Sequence, residues 1–316
     1  MTSPPPANPQ DDPPTADDAP DAPLSLAPAT FGPGRRGRRA EPMSQNIGPS
    51  HQALLERLRH QISAQGVTLD ELARRTGFSK GRISVLLRGI EYYPSWEITY
   101  SVVHALALPP WPLCRLWTAG AYEAANSTTW ITQRIAAVRP LGPEERPVEH
   151  RGFIEQMEHY YVSYAQALLH IERPERIVAE AFDILWAGWD EAEAAAGPNL
   201  PRYAWRLLRS RVLLRVRRHP DGRPDLRPAA FMTVAQSRIE DPVARFVEIS
   251  EVADFFDTIS RLPPDQFDVV VLRYLCEFTS DEVQEATGLS PAHVHTLDHH
   301  ARGALELLHH RPTARE

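Results

Sequence analysis

Residues 68–89 read Thr68-Leu69-Asp70-Glu71-Leu72-Ala73-Arg74-Arg75-Thr76-Gly77-Phe78-Ser79-Lys80-Gly81-Arg82-Ile83-Ser84-Val85-Leu86-Leu87-Arg88-Gly89. Thr68 followed three positions later by Glu71 has the form of a capping box, so a helix is expected to begin there. Leu72 and Ala73 fall on its inner face, and Gly77 can take the left-handed backbone that ends it. Phe78 fills the corner, Ser79 caps a second helix, and Ile83 and Leu86 turn that helix back onto the first. The small Ala73 allows the close approach that two steeply crossing helices need. The pattern fixes a helix-turn-helix. Ser79, Lys80, Arg82, Ser84 and Arg88 are left on or beside the outer face of the second helix, where a major-groove reader presents side chains to bases and phosphates. A corner used only for packing or dimerisation would share the inner pattern.

This stretch resembles the Cro/repressor (Xre) type of helix-turn-helix regulator over about residues 50–125. The likeness continues through Trp96-Glu97-Ile98-Thr99-Tyr100-Ser101-Val102-Val103-His104-Ala105-Leu106-Ala107-Leu108, which is expected to form a further helix. Leu69 stands where that family usually carries a polar residue that touches the DNA backbone, so one phosphate contact is expected to be missing. The resemblance implies double-stranded DNA as partner, and a homodimer would read two half-sites about 34 Å apart.

Outward from this motif, helical periodicity continues with no sustained two-residue alternation, so an all-α fold is expected throughout. At 316 residues and 42% apolar content the chain should form two or three compact units plus tails. The first 47 residues are rich in Pro, Asp and Ala and are expected to be a disordered tail, with Met43 as an alternative initiation residue. Within the tail, Gly34-Arg35-Arg36-Gly37-Arg38-Arg39 could follow a DNA phosphate backbone or simply be solvated. Proline-rich interruptions then divide the chain into the domain just described (48–125), a linker (126–149), a helical domain (150–219), a second linker (220–247) and a C-terminal domain (248–310).

In the middle domain, Phe153, Met157, Tyr160, Tyr161, Tyr164 and Leu168 repeat at helical spacing. Ile177, Val178, Ala181, Phe182, Leu185 and Trp189 follow on a second helix, and Trp205, Leu208, Val212 and Val216 on a third. Arg202, Arg206, Arg209, Arg211, Arg215, Arg217 and Arg218 surround that third stripe and are expected to form a solvated basic surface. The run Arg173 to Trp186, followed by Ala204-Trp205 and the Arg-rich helix, is similar to the core-binding and −10-reading region of extracytoplasmic-function sigma factors, with Arg176 and Ala179 as departures.

The C-terminal domain contains Leu262-Pro263-Pro264 through Tyr274, then Thr279-Ser280-Asp281-Glu282, Gly288 and Ser290-Pro291. A capping box, a turn glycine and a second N-cap again specify a helix-turn-helix. Over about residues 250–308 it resembles the −35-reading region of the same sigma factors. Gln284 replaces the small residue at the helix crossing, and His293, His295, Asp298 and His299 stand where Lys or Arg is usual. His293, His295, Thr296 and His299 are thus a second candidate DNA-binding set, on a face poor in fixed positive charge. His295 and His299 are four residues apart on one helical face, but no Cys or correctly placed carboxylate completes a set, and no metal is expected.

The formal charge of -7 excludes a protein that coats nucleic acid while permitting a local basic reader. The only lysine, Lys80, lies on the first reading helix. Cys114 and Cys276, far apart and without CxxC spacing, argue against a disulfide framework and against a thiolate zinc site, and are expected to be buried small residues. No apolar run of about 20 residues occurs, so no membrane span and a cytoplasmic location are expected. No phosphate loop or catalytic motif appears, so neither an enzyme nor a cofactor is expected. Three functions remain: an operator-binding regulator with a degenerate sigma-like half, an alternative sigma factor that binds core RNA polymerase, and a protein-interaction scaffold that touches no DNA.

Overall fold

Thr68 and Gly77 begin and end a helix as the spacing requires, and the same local logic recurs along the chain. In the computed structural model, residues 42–169, 173–226 and 254–309 are described, with side chains to 306. The expected tail up to residue 41, and the second linker from 227 onward, fall outside them. Among the described residues the fold is all-α. Its helices are α1 (Pro49–Ala64), α2 (Leu69–Thr76), α3 (Lys80–Arg88), α4 (Trp96–Ala105), α5 (Pro110–Glu123) and α6 (Thr128–Ala136). There follow α7 (Val148–Leu168), α8 (Glu175–Ala187), α9 (Trp189–Ala196), α10 (Leu200–Leu213), a helical segment α11 over 254–259, α12 (Pro264–Val270), α13 (Ser280–Thr287) and α14 (Pro291–His309).

A first core joins α1 to α6 and is centred on Trp117, whose indole N–H donates to the Pro94 carbonyl at 3.0 Å. The rings of Tyr93, Trp96 and Trp130 pack around it, with Trp130 stacked 5.7 Å away. That stacking, the cap that the Ser127 side chain supplies to the Trp130 N–H, and the burial of Ile131 make α6 part of this unit. Residues 126–149 are therefore not the expected linker. Their second half is also fastened, since the Trp111 indole donates to the Gly142 carbonyl and Arg115 pairs with Glu144 at 2.6 Å. Helices α1 and α5 touch because residue 120 is glycine: a Cβ there would lie 2.9 Å from the His51 backbone nitrogen.

A second core unites what the sequence divides into two domains. Tyr161, Tyr164 and Trp205 of α7 and α10 bury against Val269 to Leu272, Val283 and Ala286 from the C-terminal segment. Asp268, on α12, is 1% exposed. It accepts from the Tyr164 hydroxyl at 2.8 Å and the Trp205 indole at 3.2 Å, and pairs with Arg209 at 2.7 Å. A carboxylate is held in the interior because hydrogen-bond donors and a cation surround it. The segment 271–275 then closes as one π-helical turn.

Two sequence expectations change here. Gly188 breaks the expected second helix, so Trp189 begins α9 instead of ending α8. The arginines on and just after α10 are a solvated stripe only in part: Arg217 and Arg218 are exposed as expected, but others turn inward. Arg211 is buried and reaches Glu180 at 2.6 Å, Arg215 reaches the same carboxylate at 2.7 Å, and Arg209 is committed to Asp268. Glu180 also accepts from the Ser50 hydroxyl at the start of α1, and Arg211 donates to the Pro49 carbonyl. This paired cluster, with Ala187 of α8 in the first core, joins the two halves.

Candidate nucleic-acid interface

In the first helix-turn-helix, the Thr68 hydroxyl accepts from the Glu71 N–H at 3.2 Å, but the capping box is only half formed. The Glu71 carboxylate turns instead to Arg74 and to Arg75, the latter at 2.7 Å. Gly77 takes φ 75°, Phe78 is half-buried in the corner, and the Ser79 hydroxyl caps α3 by accepting from the Arg82 N–H. Leu72, Ile83, Leu86 and Leu87 bury the inner face.

Of the five residues assigned to this face, Ser79, Lys80 and Arg82 are exposed at the N-terminal end of α3. The Arg82 guanidinium lies 5.0 Å over the Phe78 ring, and Lys80 pairs with Asp70 at 2.8 Å. Ser84 is half-buried. Arg88, also half-buried, folds back along the helix and donates to the Ser84 carbonyl at 3.3 Å. The cationic side chains that reach solvent are thus Lys80 and Arg82 at the leading end, the end that enters the groove in this motif.

Sequence reasoning passes over a neighbour of this face. An open groove of about 720 Å³ runs between α3, the 89–95 connection and α6, with Arg82 and Arg134 on its walls. Arg134 lies over the Trp130 ring at 5.5 Å. The signal is present in Ser127 followed by Trp130, Ile131 and Ile135, a cap before an apolar period.

The second helix-turn-helix is the better capped. Thr279 and Glu282 form a complete capping box, and Gly288 has φ 67° with the Arg202 backbone pressed against it. Val294 and Ala301 bury the inner face of α14. On its outer side His295 and Thr296 are exposed, as is His299, while His293 is half-buried. Asp298 is drawn aside, paired with Arg302 at 2.8 Å and accepting from the Tyr274 hydroxyl at 2.9 Å. Among the described residues no group of three or more His, Cys, Asp or Glu is placed to hold a metal.

Residues 254–305 match the family model for Sigma-70, region 4. The matched segment runs from α11 into α14 and includes both helices of the second corner, so it supports a DNA-binding role in transcription. No curated protein and no solved structure matches the chain. The region-4-like segment is anchored, not tethered: Asp268 fixes it to α7 and α10, Arg202 pairs with Asp265 at 2.7 Å, and Glu285 accepts from Tyr160 at 2.9 Å. Phe182, Trp186 and Trp205, the aromatic residues of the stretch resembling a −10-reading region, are all buried. None is presented to stack on a base. Both cysteines sit in apolar surroundings that push their thiols up, Cys114 to about 11 and Cys276 to about 12, so neither is a ready nucleophile. Among the described residues no helix is long and apolar enough to cross a membrane.

Proposed function

We propose that the chain is a sequence-specific DNA-binding transcriptional regulator of the Cro/repressor type. Ser79, Lys80, Arg82, Ser84 and Arg88 form its reading helix, and the region-4-like segment is an anchored interaction or oligomerisation unit. One contrast carries this reading: at its leading end α3 presents the cations Lys80 and Arg82, whereas the leading part of α14 presents His295, Thr296 and His299, with its cation Arg302 further along and paired with Asp298. Fixed cations are what attract a phosphate backbone and pair bidentately with guanine. A homodimer would place two α3 helices in successive major grooves.

The test is a genome-wide selection of DNA by the full-length protein beside its Arg82→Ala variant. Recovery of one palindromic motif by the parent and its loss in the variant is the expected result. Unchanged selectivity in the variant would place the reading surface elsewhere.

The second reading, an alternative sigma factor, draws on the family match at 254–305. It requires a stable complex with core RNA polymerase and promoter-like sites enriched only in that complex. The inward-turned Trp205 and the Asp268 anchor weigh against it.

A further inference from the structure

Helix α3 has two flanks, and each carries a cation. Lys80 turns toward α2, where it pairs with Asp70 at 2.8 Å. Arg82, Val85 and Gly89 recur at spacings of three and four along the opposite flank and form one wall of the open groove between α3 and α6. Trp130 and Arg134, four apart on α6, stand on the facing wall. A helix lying in a major groove about 12 Å wide has a phosphate strand along each flank. With α3 as reader, one strand passes on the α2 side and the other along this groove.

The facing wall has the chemistry of a polyanion site. From Ala124 to Pro143 the chain has no Asp or Glu, although it holds 41 of them in 316 residues, and the charged residues of that stretch are Arg134 and Arg139. On α6 the exposed polar side chains are Thr128, Thr129, Thr132, Gln133 and Arg134, each able to donate a hydrogen bond and none negative. The Arg134 guanidinium rests over the Trp130 ring at 5.5 Å and has no ion pair among the described residues, so its donors are open to a ligand. Glu91 and Glu97 border the groove from the 89–95 connection and α4, which leaves α3 and α6 as the walls that attract an anion.

We propose that α6 is a DNA-backbone clamp: Arg134 binds a phosphate of the strand that borders the bases reached by Arg82, and the α3–α6 groove takes that strand. The inference rests on α3 being the reader. The acid-free stretch selects an anionic occupant, and the groove's continuity with the α3 face selects DNA over an acidic protein. A phosphate contact of this kind fixes register and adds affinity without reading sequence.

The experiment uses the full chain and three variants. Arg134→Met keeps an apolar stem over Trp130 while removing the charge, Arg134→Lys keeps the charge, and Arg82→Ala reports on the reader. Binding to the selected operator duplex and to a scrambled duplex is measured between about 50 and 200 mM salt. One phosphate no longer neutralised flattens the dependence of log K on log salt by about 0.9, so the loss caused by Arg134→Met should be about 3.5-fold larger at the low-salt end than at the high. That loss should be equal on both duplexes, Arg134→Lys should restore the parent slope, and ethylation interference should disappear at phosphates on one strand of the site. A parent-like slope for Arg134→Met, with Arg82→Ala still erasing preference, overturns the clamp and leaves the reading intact. A loss confined to the operator also overturns it, since that places Arg134 on a base. If Arg82→Ala keeps its preference, α3 is not the reader and the clamp falls with it.

Discussion

Tyr164 and Asp268 are joined at 2.8 Å with both side chains buried, and through that bond the region-4-like segment becomes part of the same core as α7 and α10. Arg209 and Trp205 complete the cage around the carboxylate. A helix-turn-helix held this way cannot reorient without first breaking a buried charge pair, so its outward face is set by the fold and not by whatever it meets.

Asp268→Ala should therefore destabilise strongly. Removing one partner of a buried pair typically costs about 3–5 kcal/mol, because the remaining charge is stranded. Asp268→Asn keeps an acceptor for Tyr164 and should cost less. Urea unfolding of the two variants against the parent tests this. Equal stability of all three would mean that Asp268 does not hold the segment.

The two turn glycines should respond differently to alanine. Gly77 has φ 75° with nothing within 4 Å of where a Cβ would stand, so Gly77→Ala adds only the left-handed strain, about 1–2 kcal/mol. At Gly288, φ 67°, the new Cβ would lie 2.5 Å from the Arg202 backbone nitrogen, which cannot swing away as a side chain can. Gly288→Ala should cost at least about 1 kcal/mol more, as backbone shifts on overpacking do. Denaturant midpoints of the pair decide it, and equal midpoints would dismiss the close approach.

Stability should fall with mild acid. Burial pulls His51 and His150 down to about 4, so between pH 6.5 and 4 each takes up a proton in the unfolded chain but not in the native one. Folding is thus penalised as pH falls through that window. Asp183 works in the opposite sense: burial pushes its carboxyl up to about 6 against the pull of Arg115, so the native state gains a proton there first. Asp268, whose carboxyl burial also raises, acts in the same sense as Asp183, so the two histidines set the direction of the loss and the buried carboxyls reduce its size. Unfolding midpoints across that range should show it, and His51→Phe should remove most of the loss. A flat profile would mean that these histidines are not held neutral.

Both helix-turn-helix corners are legible in the sequence because their signals are local: Thr68, Gly77 and Ser79, then Thr279, Gly288 and Ser290, act within a few residues of themselves. What escapes depends on distant partners. Arg211 and Arg209 read as surface charge because nothing in α10 announces Glu180 or Asp268, which are 31 and 59 positions away in sequence. The joining of the middle and C-terminal domains into one core is likewise invisible to periodicity, which says that a face is apolar but not what covers it. Helix α6 escapes for a different reason. The prolines that follow it draw the boundary too early, although Ser127 and Trp130 carry an adequate start signal.

Finally, Asp70 should act as a brake on DNA binding. It pairs with Lys80 at 2.8 Å where both side chains are more than half exposed, an arrangement worth at most about 1 kcal/mol in water. A phosphate must displace this carboxylate to use Lys80, and the carboxylate itself repels the strand. Asp70→Asn should then tighten binding several-fold at low salt, steepen the salt dependence by up to about 0.9, and leave base preference unchanged, since phosphate contacts carry no sequence. Competition assays with operator and scrambled duplexes at two salt concentrations measure both quantities. An equal gain on both duplexes that fades at high salt places Lys80 on a phosphate. A gain confined to the operator would instead place it on a base, and no change would remove the leading end of α3 from the interface.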